Sequence, residues 1–247
     1  MKTVETVPFN FAPFLQRYQA GEWRGTIFRD VILHDVMNLI HPATLLDIGC
    51  GHGFDGVEET QIALAKASGH YIGVEPDTTI TINPLVNEVH ACFLEEAPIQ
   101  PNSVDVAFAV MVLEHLEYPE PFWAKVREVL RPGGVFWGFT IDVRHYFSIM
   151  SLLSEKIGIK DFYLNMLHGK RGDNRYENYP TFYRSNTPHS IHRFAEHFQR
   201  CDTWTFSRVG QLDYYYPPRL RGIGRTIDRI TLGLGMAGNT IIVRAVK

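Results

Sequence analysis

The run Leu45-Leu46-Asp47-Ile48-Gly49-Cys50-Gly51-His52-Gly53 sets three glycines at alternate positions directly after a short apolar stretch. Glycine has no Cβ and takes positive φ readily, so such a turn lets a ligand lie against the backbone. Glu75 stands 22 residues beyond Gly53, at the end of a second apolar run, Tyr71-Ile72-Gly73-Val74. A carboxylate there suits the two hydroxyls of a ribose. Turn and carboxylate together describe a pocket for an adenosine-type nucleoside. Gly51-His52-Gly53-Phe54-Asp55-Gly56 also satisfies the dinucleotide pattern G-x-G-x-x-G, so an NAD-type cofactor competes for the same glycines. Register separates the two: a dinucleotide fingerprint starts directly after its strand, whereas here the strand is followed at once by Gly49, with Asp47 just before it.

Two histidines are candidate general bases, His115 after the fourth apolar run and His145 after the fifth, since imidazole takes up a proton near neutral pH. Glu114 is a weaker candidate, because a carboxylate at a helix start commonly serves only as a charge at the helix end. His189, His192 and Glu196 share a helical stripe, but without H-E-x-x-H and without a third strong ligand they read as a solvated face, and no metal is predicted. Cys50, Cys92 and Cys201 are odd in number and lack C-x-x-C spacing, which speaks against a disulfide framework or a zinc site and for a reducing compartment.

The elements that must carry these groups alternate. Helical spacing of Phe28, Ile32, Val36, Leu39 and Ile40 precedes Pro42 and the strand Thr44 to Ile48; a helix from about Val57 to Ala67 leads to the strand ending at Val74. Val104 to Val110 reads as a buried strand, followed by a helix with Phe122, Val126, Val129 and Leu130 on one face, the breaker Arg131-Pro132-Gly133-Gly134 and the strand Val135 to Ile141. This rhythm predicts a doubly wound α/β sheet covered on both faces. From Asp142 to Asn186 it is lost, which predicts an inserted lid. Thr187-Pro188 then caps a helix with Ile191, Phe194, Ala195 and Phe198 inward, and Trp204 to Val209 and Thr240 to Val246 close the sheet.

Leu46-Asp47-Ile48-Gly49-Cys50-Gly51-His52-Gly53 resembles the first motif of class I S-adenosylmethionine-dependent methyltransferases, and Val74-Glu75-Pro76-Asp77 their second. Val104-Asp105-Val106-Ala107-Phe108-Ala109 with Val112-Leu113-Glu114-His115-Leu116 is similar to the fourth-strand signature of the ubiquinone-biosynthesis type branch, and Leu130-Arg131-Pro132-Gly133-Gly134 to the turn before their fifth strand. The resemblance covers about residues 44 to 141 and implies a Rossmann-like sheet, mostly parallel with an antiparallel last strand, in three layers α/β/α. It implies that Asp47, Gly49, Gly51 and Gly53 hold the methionine part of the cofactor, Glu75 the ribose, and Ala109 and Val110 the amino acid through backbone groups, with Cys50 and Pro76 also among the cofactor-binding residues. The family's usual acidic contact to adenine is missing, since a gap-free count back from Asp105 places Phe93 there. Glu95 after a small shift, or packing at Leu94, takes its place. An oxidoreductase using NAD, and a regulator that binds the cofactor without turnover, remain as alternatives.

The acceptor side is less specific. Tyr176 to Thr187, polar and aromatic, is the expected recognition element, with Tyr179, Tyr183, Arg184 and Asn186 as substrate-binding residues and Tyr214-Tyr215-Tyr216-Pro217-Pro218 as a second wall. Tyr18, Trp23 and Arg24 are expected to fold over the cofactor. Arg219, Arg221, Arg225 and Arg229 read either as a solvated helix face or as a contact for a phosphorylated or lipid-linked acceptor at a membrane. A net charge of −3 gives no broad basic field for nucleic acid. The expected acceptor is therefore a small molecule, glycan or lipid-linked group, in a cytoplasmic protein without a transmembrane segment. Length favours one domain over 1–247: a helical lid (1–41), a cofactor core (42–141), an acceptor insertion (142–200) and closing strands (201–247).

Overall fold

A computed structural model describes residues 8–51, 53, 54, 57–158 and 179–247. Its elements are α1 (Ala12–Gln19), α2 (Arg24–Met37), β1 (Ala43–Ile48), α3 (Glu58–Ala67), β2 (Ser68–Val74), β3 (Glu88–His90), β4 (Val104–Val110), α4 (Pro119–Val129), β5 (Leu130–Ile141), α5 (Tyr146–Lys156), α6 (Pro188–Phe194), β6 (Arg200–Phe206), α7 (Arg221–Gly233) and β7 (Thr240–Val246). The strands form one sheet in the order β3-β2-β1-β4-β5-β7-β6, parallel from β3 to β5, with β7 antiparallel to both its neighbours. The expected doubly wound sheet and antiparallel last strand are both present.

Side chains alternate across the sheet, as pleated strands require. Leu46, Ile48, Ala107 and Ala109 join the core beneath α4 and α6, while Leu45, Val106 and Phe108 join the core beneath α1, α2 and α3. Pro119 starts α4, its missing N–H costing nothing in the first turn, and Phe122, Trp123, Val126 and Val129 follow on the buried face. Thr187 caps α6 as expected: its Oγ1 accepts from the Ser190 amide at 3.1 Å and Ser190 Oγ accepts from the Thr187 amide at 3.1 Å. On the other face Asp35 of α2 accepts from Trp137 Nε1 at 2.8 Å and from Arg244 at 2.9 and 3.0 Å, joining α2 to β5 and β7.

Several expectations are corrected. Ile40 lies beyond the end of α2 and is fully exposed, so the apolar face stops at Val36 and half-buried Leu39. The short strand β3, with polar Glu88 and His90, carries no apolar pattern and was not foreseen. The loss of rhythm after Asp142 is not a loss of regular structure, because α5 follows β5 almost at once. Strand β6 starts at Arg200, ahead of Trp204. Tyr18 does not cover a nucleoside: it is buried, stacked on Phe206 at 3.8 Å, and Arg208 lies over its other face. With Phe11, Ile27 and Phe28 it makes α1 and α2 part of the core rather than a lid.

Candidate functional site

The order of the sheet reverses between β1 and β4, and in open α/β sheets ligands bind beyond the carboxyl ends at such a switch point. Ile48 pairs with Val74 on one side and Ala109 on the other, so β1, β2 and β4 end level. At that edge Gly49 has φ +77° and its amide donates to Val74 O at 2.8 Å. A Cβ on Gly49 would meet Val112 Cγ2 at 2.6 Å. The Gly51 amide donates to Glu75 Oε2 at 3.1 Å, and the Asp77 amide donates to Glu75 Oε1 at 3.0 Å. Both carboxylate oxygens are thereby fixed, and each keeps a lone pair for a ligand hydroxyl. A Cβ on Gly51 would sit 2.8 Å from Glu75 Oε2 and 3.0 Å from Ile80, filling the cradle. His52, Asp55 and Gly56 lie outside the described residues.

Asp47 faces the α3 side of the sheet beneath this turn. It is buried, and its Oδ2 accepts from Tyr71 Oη at 2.7 Å and from Gln61 Nε2 at 3.2 Å; Gln61 Nε2 also reaches Cys50 O at 2.8 Å. Burial pushes the Asp47 carboxyl up to about 7, the two hydrogen bonds pull it down, and Glu75 adds a smaller upward push. Gln61 and Tyr71 thus support the turn from below. Neither stands out in the sequence, since one is a helix residue and the other the first apolar residue of a strand. Burial likewise raises the Cys50 thiol far above its ordinary range, so Cys50 offers backbone rather than a nucleophile.

Around the remaining expected contacts, Pro76 is exposed, Ala109 is buried in the ladder, and Val110 is half-buried at the end of β4. Met111, next in line, is held at φ +56°, an uncommon conformation of the kind that clusters at ligand sites. Leu94 is buried in a single turn of 3₁₀ helix, Glu95 is half-buried, and Phe93 is 62% exposed. The large apolar face of Phe93 is open where a carboxylate would be expected.

The irregular segment running from Tyr179 crosses this edge. Tyr179 Oη donates to Asp77 Oδ2 at 2.5 Å, so this segment is tied to the loop that fixes Glu75. Phe182 and Tyr183 donate their amides to Glu114 O at 2.8 and 3.2 Å, Arg184 donates to Glu117 O at 2.7 Å, and Trp123 Nε1 donates to Ser185 Oγ at 3.1 Å. Asn186 is fully buried, and its Nδ2 donates to Thr140 Oγ1 at 2.7 Å and Ile141 O at 3.1 Å. Arg184 and Asn186, expected to bind substrate, therefore hold the segment across the ends of β4 and β5, while Tyr179 and Tyr183 remain partly exposed. Tyr176 to Asn178 lie outside the described residues.

The two histidines differ. His115 Nδ1 is 2.8 Å from Pro180 O; a carbonyl only accepts, so Nδ1 donates and Nε2 is left for another partner. Its ring lies 6.1 Å from that of Tyr179, edge to face. His145 is buried at the start of α5, and its Nδ1 accepts from the Phe147 amide at 3.3 Å, which leaves the proton on Nε2. Burial lowers its proton affinity, partly offset by Asp228 and Asp142, so the ring stays neutral. Glu114 is not a charge at a helix end: it is buried, accepts from Thr140 Oγ1 at 2.7 Å, and burial raises its carboxyl against the opposing effects of His115, Thr140 and Arg24. The expected second wall is split, with Tyr215 packed on Phe147 at 4.9 Å and Tyr216 against Gly224. His192 meets Thr203 Oγ1 at 3.2 Å. Among the described residues no cluster of three or more His, Cys, Asp or Glu is placed for a metal.

Residues 46–138 match the family model of the methyltransferase domain. An uncharacterized methyltransferase of Mycobacterium avium (strain 104) is 31% identical over 120 residues, covering 42% of this chain and 46% of the relative; that of Mycobacteroides abscessus is 28% identical over 159 residues, covering 50% and 56%. The chain thus spans about half the length of the curated relatives it matches. A S-adenosylmethionine-dependent methyltransferase from Archaeoglobus fulgidus superposes with a TM-score of 0.54 at 12% identity, over 96% of this chain and 100% of that one. Phosphoethanolamine N-methyltransferase 2 of Haemonchus contortus, solved with S-adenosyl-L-methionine, superposes with a TM-score of 0.55 at 14% identity, over 95% of this chain and 60% of that one. The solved structures share the fold. The likeness to a methyltransferase domain lies in residues 46–138.

Proposed function

We propose that this chain transfers a methyl group from S-adenosylmethionine to an oxygen, nitrogen or carbon of a small-molecule, glycan or lipid-linked acceptor. The observation that carries the reading is the Glu75 carboxylate, held by the Gly51 and Asp77 amides at the end of β2, beside a turn where a Cβ on Gly49 or Gly51 has no room. When bound, the sulfonium supplies an electrophilic methyl group. Glu75 would take the ribose hydroxyls, the turn from Gly49 to Gly53 with Ala109 and Val110 the amino acid end, and Leu94 with exposed Phe93 the adenine.

Because a methyl sulfonium is already reactive, the protein's part is to hold the acceptor in line at about 3 to 3.5 Å and to exclude water. The segment from Tyr179 to Asn186 is suited to that, being pinned from Asp77 to Thr140 across the strand ends. His115, with its Nε2 left for another partner, is the better placed of the two histidines to take a proton from a hydroxyl acceptor. His145 instead accepts from the Phe147 amide at the start of α5. The motif from Val104 to Leu116 favours the ubiquinone-biosynthesis type branch.

Turnover on an acceptor panel tests this. S-adenosylhomocysteine should accumulate together with a product heavier by one methylene, and only with S-adenosylmethionine supplied. Binding of the cofactor without turnover on any acceptor would favour the regulator.

A further inference from the structure

Helix α7 is inside out. An amphipathic helix ordinarily buries its apolar stripe. Here the fully buried positions are Gly224 and Asp228, and of the stripe Ile223, Ile227, Ile230 and the C-cap Leu234 only Ile227 is half-buried, the others being 58%, 56% and 72% exposed. Polar anchors hold the helix in this sense: Asp228 accepts from Tyr146 Oη at 2.7 Å and from the Gly210 amide at 2.8 Å, and Tyr216 packs on Gly224, where a Cβ would find its ring at 2.9 Å. The exposure is concentrated: of the twenty exposed large hydrophobic side chains among the described residues, nine fall between 149 and 157 or between 220 and 236. The first group is Ile149, Met150 and Leu153 on α5 with Ile157 just past its end, and Tyr146 ties α5 to α7.

The opposite flank of α7, across the small solvent-facing residues Gly222, Thr226 and Gly233 from this stripe, is basic. Arg221, Arg225 and Arg229 recur at four-residue spacing, preceded by Arg219. The acids in the stretch are committed: Asp213 pairs with Arg225 at 2.6 Å, and Asp228 faces inward. Among the described residues Arg229 has neither an ion pair nor a hydrogen bond. This flank opens onto a groove of about 380 Å³ between α1 and α7, lined by Gly21, Arg208, Gly210, Asp213, Arg225 and Arg229. A solvent-facing helix with an exposed apolar stripe on one flank and a row of arginines on the other is the pattern of a helix lying in the interface of an anionic bilayer.

We propose that α7, with the exposed apolar residues of α5, docks this protein on the surface of a membrane bearing anionic headgroups. A second copy of the chain is the poorer occupant, because self-docking through this face would bring arginine toward arginine, whereas headgroup phosphates neutralise the row. Among the described residues no helix is long and apolar enough to cross a membrane, so the contact is peripheral. The inference stands apart from the methyl-transfer reading, since none of its residues belongs to the strand-end site.

Flotation of the full chain with vesicles tests it. The protein should float with phosphatidylcholine mixed with phosphatidylglycerol, stay behind with phosphatidylcholine alone, and release as salt rises. Arg221→Gln and Arg229→Gln should each weaken partition about fivefold, and Ile230→Asn and Leu234→Asn about tenfold each. All four variants should bind S-adenosylhomocysteine as the parent does, or, should that reading of the cofactor fail, unfold at the parent's temperature. The proposal is overturned if the parent does not float, if it floats equally on neutral vesicles, or if the variants float like the parent. It is also overturned if sedimentation shows a dimer that Ile230→Asn dissociates.

Discussion

The two halves of the strand-end region are built by different means. On the β1–β2 side the site is made of backbone: a turn that only glycine fits, and a carboxylate held by two amides. On the β4–β5 side it is made of side chains reaching across the sequence, as with Arg184 to Glu117, Trp123 to Ser185 and Asn186 to Thr140. The first half tolerates little change in residue type. The second half can change its exposed side chains while keeping its frame.

Gly51→Val should break the first half outright. Its side chain would enter the space of Glu75 and Ile80, and loss of hydrogen bonds to a charged carboxylate is worth roughly 3 kcal/mol or more, on the order of hundredfold in affinity. Titration with S-adenosylhomocysteine checks this, and parental affinity in the variant would contradict the account of the turn. His115→Ala should leave that affinity intact and lower turnover of a hydroxyl acceptor by on the order of hundredfold. If His145→Ala matches that loss without losing thermal stability, the assignment of the two rings is wrong.

Much of the first half was legible because its signals are local. Asp47, the three glycines and Glu75 sit at strand ends marked by apolar runs, and the register of the first glycine is a matter of counting. The second half was not. Nothing near Asn186 announces that it will be buried against Thr140, 46 residues away. Glu114 looks like a solvated helix-start charge until Thr140 is placed over it. Helix α7 defeats periodicity altogether, since its buried positions are a glycine and an aspartate. The strand β3 is too short and polar to signal, and Tyr18 gains its meaning only from Phe206.

Smaller effects sharpen the contrast. Asn186→Ala removes two buried hydrogen bonds and should cost about 1 to 3 kcal/mol, seen as a lower unfolding temperature with cofactor affinity nearly unchanged. Asp47 supplies a pH dependence of known sign. Its carboxyl titrates near 4 when unfolded and at about 7 when folded, so the folded state holds the extra proton between these values. Its contribution to stability is full at low pH and is lost as pH rises from about 4 through about 7. Asp47→Asn should flatten the pH profile of unfolding in that window, and an unchanged slope would show that other groups set it.

The central claim is that the glycine turn and Glu75 receive S-adenosylmethionine. Parallel calorimetric titrations of the full chain with S-adenosylhomocysteine and with NAD test it most directly. The account predicts saturable binding of S-adenosylhomocysteine that Glu75→Ala abolishes, with no heat from NAD; saturable binding of NAD alone would contradict it.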